Sequence, residues 1–145
     1  MTVKFKKIRE NAIEPRYGSP CAAGADLYAA GDSEITIAPN ETGMIHTGIA
    51  IELPQGVAGL VYARSGMACR RGLAPANKVG VIDSDYRGEI IVALHNHGSP
   101  PQTLEPGDRI AQLVITPCFT AEFEQSDELS DTERGSGGFG STGSK

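Results

Sequence analysis

Short runs of apolar residues, each closed by a turn, make up most of this chain. Four of the runs are rich in β-branched residues: MIHTGIAIEL at 44–53, VAGLVYA at 57–63, EIIVAL at 89–94 and IAQLVI at 110–115. Gly, Pro, Asn and Asp gather between them. Because short β-branched runs with regular turn signals favour strands over helices, the pattern predicts an all-β barrel or sandwich.

Two further segments complete the predicted elements. VKFKKI at 3–8 roughly alternates apolar and polar residues, which is typical of a half-buried strand. Only the segment from Ser65 to about Arg71 favours a helix, a short one that the Ser65 side chain could cap.

The strand pattern ends after Phe123. Residues 124–133 are acidic and polar, and residues 134–145 (RGSGGFGSTGSK) are rich in Gly and Ser. Such a segment cannot offset its ordering entropy through burial. We therefore predict one β domain over 1–123 and a flexible C-terminal arm over 124–145. The arm is either a plain tail or a clamp, since its Arg, Phe and Ser-Thr pair are set among glycines that let a backbone approach a ligand closely.

Composition narrows the possible classes. A chain of 145 residues suits one domain. The net charge of −5 argues against a broad nucleic-acid-binding face, although a small anion could still occupy a local basic pocket. Cys21, Cys69 and Cys118 lie far apart with no CxxC pair, which predicts free thiols in a reducing compartment. With no signal-like or membrane-spanning run, we expect a cytoplasmic protein without membrane partners.

Two polar segments in this pattern could carry chemistry. RSG at 64–66 offers a guanidinium fork, a hydroxyl and the amides of a helix start to a phosphate, although a surface Arg and a helix cap would also explain it. NKVGVIDSDYRG at 77–88 predicts a β-hairpin in which Asp83 and Asp85 share one face. One of these carboxylates could activate a water, or both could bond their own turn.

Single polar residues inside apolar runs raise a further question. Gln112 within IAQLVI and Asp26 within AGADLYAA each need a partner if buried, either a structural one or a ligand. His95 and His97 alternate and could share one strand face, but a zinc site needs more ligands at suitable spacing, so we expect no metal there.

Taken in order, five segments resemble the motifs of the homotrimeric dUTPase family: AGADLYAA, RSGMA, NKVGVIDSDYRG, PGDRIAQLV and RGSGGFGSTG. The resemblance spans nearly the whole chain. It implies a distorted jelly-roll-like β-barrel of the β-clip type and hydrolysis of dUTP to dUMP and pyrophosphate. That reaction limits uracil incorporation into DNA and supplies dUMP for dTMP synthesis. The resemblance also implies a homotrimer with shared active sites, and Mg²⁺ held mainly by substrate phosphates and water.

The same resemblance assigns roles by position. Asp83 matches the acid that activates the attacking water, and Tyr86 the aromatic that packs against deoxyribose and disfavours a 2′-hydroxyl. Asp26 matches an acid linked to metal-bound water or to subunit packing. The uracil pocket would use Asn77 and the backbone of Val81, Ile82 and Ile91, with Phe139 stacking over the ring. The phosphate-binding positions are Arg64, Ser65, Gly66, Gln112, Arg134, Gly140, Ser141 and Thr142.

Two alternatives stay open at this point. One is a dCTP deaminase, or a bifunctional deaminase-diphosphatase, of the same fold. These related enzymes lack a C-terminal motif like RGSGGFGSTG. The other is a non-catalytic nucleotide-binding homologue, against which the intact Asp83, Tyr86 and Phe139 argue.

Overall fold

The computed structural model describes residues 1–138, in which antiparallel strands form four sheets and one helix is present. The strands are β1 (Lys4–Lys7), β2 (Arg16–Tyr17), β3 (Ala25–Tyr28), β4 (Ile35–Ile37), β5 (Thr42–His46), β6 (Ile49–Glu52), β7 (Val57–Tyr62), β8 (Leu73–Pro75), β9 (Gly80–Ile82), β10 (Ile91–Asn96), β11 (Gln102–Leu104) and β12 (Arg109–Pro117). The helix α1 covers Ser65–Arg71.

The largest sheet has the strand order β2-β3-β12-β7-β9. Its centre is β12, whose Gln112 lies opposite Tyr62 of β7 on one side and Asp26 of β3 on the other. A three-stranded sheet has the order β5-β10-β8, and β1 pairs with β6 and β4 with β11. Apolar side chains from these sheets form one buried core, which includes Leu27, Ile45, Leu73, Leu94 and Ile110. The predicted all-β class with one short helix is therefore confirmed, although the sheets do not close into a single barrel in the described part of the chain.

Strands were predicted correctly over 57–63, 89–94 and 110–115, with shifts of a few residues at their ends. The single strand predicted over 44–53 is wrong, because the chain breaks at Gly48 into β5 and β6. Gly48 has φ +66°, and a Cβ there would lie 2.7 Å from the Cβ of Ala12. The left-handed backbone and the close approach both require glycine, and the left-handed backbone is incompatible with a continuous strand.

The first strand, β1, is less buried than the alternation predicts. All four of its residues are exposed, including Phe5 at 45%. Its only strand partner among residues 1–138 is β6, so β1 lies at the margin of the fold.

Helix α1 has the predicted range, but the prediction that Ser65 caps it is wrong. Arg64 occupies the N-cap position without a side-chain cap hydrogen bond, and Ser65 is the first helical residue. The helix ends at Gly72, whose φ of 67° allows its N–H to donate to the carbonyl of Met67. Met67 is buried and holds the helix against the core. Among residues 1–138, no helix combines the length and apolar character needed to cross a membrane.

Beyond β12 the chain leaves the sheets. Residues 117–136 are all exposed, and Phe119 and Phe123 expose 98% and 96% of their surface. The division into a domain over 1–123 and a flexible arm over 124–145 stays a prediction.

Candidate active site

A slot of about 340 Å³ lies between β9 and the start of β10. The prediction that these two segments form a β-hairpin is wrong, because β9 pairs with β7 whereas β10 pairs with β5 and β8. The two strands therefore belong to different sheets and diverge, and the slot occupies the space between them. Every residue assigned to the uracil and sugar positions outside the arm lines it: Asn77, Val81, Ile82, Tyr86 and Ile91, together with Asp83.

The backbone at the slot is suited to reading a planar polar ring. Strand β9 is the last strand of the five-stranded sheet, so one of its edges faces no other strand of that sheet. Backbone N–H and C=O groups on such an edge need partners. The Asn77 side chain adds an amide with both a donor and an acceptor at the same slot.

Tyr86 is fixed at the mouth of the slot. Its backbone N–H donates to the carbonyl of Asp83 at 3.2 Å, which closes the turn that carries both residues. Its Oη donates to the carbonyl of Glu89 at 2.9 Å. Gly88 passes so close to the ring that a Cβ there would collide with the phenol group. The ring is therefore held against its own loop, and Asp83 stays exposed beside it.

A second cavity, of about 500 Å³, lies at the end of β7 and the start of α1. Arg64, Arg70 and Arg109 line it with a single carboxylate, Asp26, which leaves a formal charge of +2 (three minus one). The whole chain carries −5. The local excess of guanidinium groups makes this cavity a site for an anion such as a phosphate. Ser65, Gly66 and Gln112 also line it.

Asp26 holds two of these arginines in place. It lies on β3 and is only 7% exposed. Its Oδ1 accepts a hydrogen bond from Arg64 Nε at 2.6 Å, and its Oδ2 accepts one from Arg109 Nη1 at 3.4 Å. A carboxylate buried to this extent requires counter-charges, and the two guanidinium groups provide them. The structure thus gives Asp26 a partner that the sequence alone could not identify.

Gln112 has a structural partner and also reaches the basic cavity. Its Nε2 donates to the carbonyl of Ala63 at 2.9 Å. A Cβ on Gly24 would lie 2.8 Å from its Oε1, so glycine at position 24 leaves room for the amide. The side-chain NH₂ has two N–H groups, so it can bond Ala63 and a ligand oxygen at once.

In one chain the predicted site residues line two separate cavities. The slot and the basic cavity have no lining residue in common. Arg134 is exposed, and its Nε donates to the carbonyl of Gly137 at 2.9 Å. The predicted arm ligands Phe139, Gly140, Ser141 and Thr142 lie outside the described residues.

Sequence reasoning missed three charged residues that line these cavities. Arg70 and Arg109 line the basic cavity, and Glu89 lines the slot. Arg109 stands three residues before Gln112, on the opposite face of an ideal strand, but a bulge between Arg109 and Ala111 alters that alternation. Arg70 carried no signal beyond being basic in the last turn of α1.

The two alternating histidines pack against each other. The ring centroids of His95 and His97 lie 4.4 Å apart, and His95 Nδ1 lies 3.0 Å from the hydroxyl of Thr42. Desolvation, together with the nearby charges of His95 and Lys78, lowers the pKa of His97. Over residues 1–138, no group of three or more His, Cys, Asp or Glu side chains is placed to hold a metal ion.

Known proteins resemble this chain over nearly its whole length. The dUTPase family model matches residues 10–143. The deoxyuridine 5′-triphosphate nucleotidohydrolase of Desulfitobacterium hafniense strain DCB-2 is 58% identical over 144 residues, covering 97% of this chain and 95% of the relative. That of Hydrogenobaculum sp. is 46% identical over 145 residues, covering all of both chains.

Solved dUTPase structures also resemble this chain in fold. A dUTPase point mutant of Staphylococcus bacteriophage 80alpha with dUpNHpp has a TM-score of 0.91 at 29% identity, with 98% of both chains covered. A mutant dUTPase of phage phi11 of S. aureus, described with a structural Mg(II) ion, has a TM-score of 0.82 at 25% identity, covering 90% of this chain and all of the other.

The fold and the relatives together define the class of this protein, which is a hydrolase with a jelly-roll-like β-fold. Within that class, the chain belongs to the dUTPase family. Membership in this family does not favour the deaminase alternative.

Proposed function

We propose that this protein hydrolyses dUTP to dUMP and pyrophosphate, and thereby limits uracil incorporation into DNA and supplies dUMP for dTMP synthesis. The observation that carries the proposal is the pairing of a ring-sized slot beside Asp83 with a separate basic cavity around Arg64. A nucleoside triphosphate has both parts, a planar base and a chain of phosphates. The relatives named as dUTP nucleotidohydrolases identify the base as uracil.

Recognition of uracil is assigned to the slot between β9 and β10. Asn77 and the backbone of Val81, Ile82 and Ile91 would pair with the polar edge of the ring. Cytosine presents the wrong donors and acceptors there, and the pairing groups it leaves unsatisfied make its rejection strong. A close wall would exclude the methyl group of thymine, and Tyr86 would pack against deoxyribose and leave no room for a 2′-hydroxyl.

Binding of the phosphates is assigned to the basic cavity. Arg64 supplies a fork of donors whose direction is set by Asp26. Ser65, Gly66 and the amide of Gln112 add neutral donors around the same space. Arg134, Gly140, Ser141 and Thr142 of the arm would add contacts, and Phe139 would stack over uracil.

The donor set of the basic cavity fits a magnesium ion bound chiefly by the substrate. Asp26 is the only carboxylate lining the cavity within residues 1–138, and each of its oxygens already accepts from an arginine. Each carboxylate oxygen has a second lone pair, so Asp26 can still accept from a metal-bound water. Mg²⁺ held by phosphate oxygens and water would neutralise charge and orient the triphosphate.

Asp83 is the proposed general base. It is exposed at the slot, next to the Tyr86 ring that would hold the sugar. From that position its carboxylate would take a proton from a water that attacks the α-phosphorus, and pyrophosphate would leave. The glycine-rich arm would close over the nucleotide, exclude bulk water and open for product release.

A homotrimer with shared sites explains why one chain separates the two cavities. The slot of one subunit would face the basic cavity of a second, and the arm of a third would cover both. The exposed side chains of Phe119 and Phe123 beyond β12 support an arm that leaves its own subunit.

We propose a cytoplasmic location, since the three exposed free cysteines suit a reducing compartment.

The function is tested by a turnover assay on dUTP, dTTP, dCTP and UTP, each with Mg²⁺ and with a chelator. Pyrophosphate release from dUTP alone, and only with Mg²⁺, is the expected result. Ammonia released from dCTP would support the deaminase alternative instead. Tight binding of dUTP without turnover would identify a non-catalytic homologue.

A further inference from the structure

A charged cluster borders the slot through Glu89 and has no part in the proposed chemistry. Glu89 Oε2 lies 2.7 Å from His46 Nδ1, and Glu89 Oε1 accepts from Arg9 Nε at 3.2 Å. The backbone N–H of Gly48 also donates to Oε1, at 2.7 Å. The cluster joins the segment after β1, the end of β5 and the loop before β10, three parts of the chain that are distant in sequence.

Several groups hold the Glu89 side chain in place and favour its ionised form. It is 12% exposed, against 40% for Arg9 and 39% for His46. Burial alone would raise the pKa of Glu89, but the hydrogen bonds from His46 and Gly48, the charge of His46 and the hydrogen bond from Arg9 together lower it. An ionised carboxylate only accepts hydrogen bonds, so Glu89 is the acceptor towards His46, whose Nδ1 also lies 3.1 Å from Arg9 Nη2.

The same residue holds the ring that the proposed function places against the sugar. Tyr86 Oη donates to the backbone carbonyl of Glu89. The position of that carbonyl therefore helps to set where the Tyr86 ring lies, and the side-chain contacts of Glu89 hold the loop side of the peptide group that carries it.

The start of β10 is held in its sheet without the Glu89 side chain. Ile90 N–H donates to the carbonyl of Ile49 at 2.8 Å, and Thr47 Oγ1 donates to the carbonyl of Ile90 at 2.6 Å. Ile90 N–H belongs to the same peptide group as the Glu89 carbonyl, so its bond to Ile49 holds that group from the β10 side, independently of the Glu89 side chain. Removal of the carboxylate should thus loosen the loop that carries Tyr86 and leave the sheet intact.

We propose that Glu89, held by His46, Arg9 and the Gly48 amide, is a positioning residue that sets the discrimination between deoxyribose and ribose through the Tyr86 hydroxyl. This proposal rests on the role of Tyr86 in the proposed function. A ring that is free to move by a fraction of an ångström would admit a 2′-hydroxyl that the fixed ring excludes.

The test compares kcat/KM for dUTP and for UTP in wild type and variants. Glu89→Ala should lower the ratio of the two by about tenfold, because small displacements near a substrate have effects of this size. Glu89→Gln keeps an oxygen for Gly48 N–H and should retain most of the discrimination. The matched control is Glu34→Ala, since Glu34 is exposed and makes no side-chain hydrogen bond or ion pair among residues 1–138.

A double-mutant cycle shows whether Glu89 acts through Tyr86. Tyr86→Phe removes the hydroxyl and should lower the dUTP/UTP ratio by itself. Adding Glu89→Ala to Tyr86→Phe should then cause little further loss, because the linking hydrogen bond is already absent. Full additivity of the two losses would overturn the proposal.

Failure of the inference and failure of the proposed function give different results. Wild-type protein that leaves dUTP intact overturns both. If wild type and Tyr86→Phe behave as expected and Glu89→Ala is identical to wild type, only the role of Glu89 is overturned. Should Glu89→Ala fail to fold, His46→Ala replaces it, because it removes the contact to Glu89 Oε2 and frees one side of the carboxylate; an unchanged ratio in that variant counts against the proposal.

Discussion

Asp26 of β3 and Arg64 at the N-cap of α1 form a hydrogen bond of 2.6 Å at the end of the five-stranded sheet. The two residues are 38 positions apart in sequence, and β12 and β7 bring them together. The contact fixes a guanidinium group at the mouth of the basic cavity before any ligand arrives. Preorganisation of this kind reduces the entropy lost when a phosphate binds.

Asp26→Asn should weaken both stability and phosphate binding. The substitution removes the charge that Arg64 and Arg109 share, and neither arginine has another carboxylate within ion-pair distance in residues 1–138. We expect a loss of about 1–3 kcal/mol in the free energy of unfolding, a range that allows for the partial exposure of both arginines. Urea unfolding measures this, and the KM for dUTP should rise in parallel.

The control for that experiment is Asp127→Asn, an exposed aspartate beyond the sheets. Its unfolding curve should match that of wild type. Equal stability of Asp26→Asn and wild type would mean that the ion pair contributes nothing measurable.

Asp83→Asn should separate binding from catalysis. The amide keeps the size of the side chain but cannot accept a proton, so kcat should fall by about 10²- to 10⁴-fold while the Kd for dUTP changes little. Isothermal titration and a pyrophosphate assay give the two quantities. Asp85→Asn is the matched variant, because Asp85 lies in the same turn but does not line the slot. If Asp85→Asn lost activity and Asp83→Asn kept it, Asp85 and not Asp83 would be the general base.

The acid sensitivity of the fold should depend on Glu89. Its folded pKa is lowered from 4.5 because hydrogen bonds from His46, Gly48 and Arg9 outweigh its desolvation. The unfolded chain therefore binds this proton first as pH falls. The stabilising contribution is complete above 4.5 and is lost as pH falls below that value through the folded pKa.

Comparing wild type with Glu89→Gln measures this contribution. The difference in their free energies of unfolding should be constant from about pH 7 to about pH 6 and should shrink below about pH 4.5. A difference that grows in acid would contradict a lowered pKa.

The sequence was sufficient for the strands whose apolar runs are unbroken, such as 57–63 and 110–115, because periodicity reports burial directly. It failed at Gly48 and between β9 and β10. In both places the outcome depends on contacts with distant segments: Ala12 crowds Gly48, and β7 draws β9 into another sheet. A local pattern carries no information about such partners.

The residues of the candidate site also fall into two groups, those that the sequence could predict and those that it could not. Asp83 and Tyr86 could be selected from the third motif because the resemblance extends along a continuous segment. The counter-charges of Asp26 and the anchors of Glu89 come from residues 38 to 83 positions away. Only the folded chain brings these groups together, so no spacing rule in the sequence could have identified them.

The central claim is that the slot of one subunit and the basic cavity of another form one dUTP-hydrolysing site. It is tested most directly by mixing two inactive variants, Asp83→Asn and Arg64→Ala, after joint unfolding and refolding. Random assembly from equal amounts leaves both residues intact in about a quarter of shared sites, so about a quarter of wild-type activity should return. A mixture that stays as inactive as its two components, although each refolds and assembles, would show that one chain supplies both residues and would contradict the account.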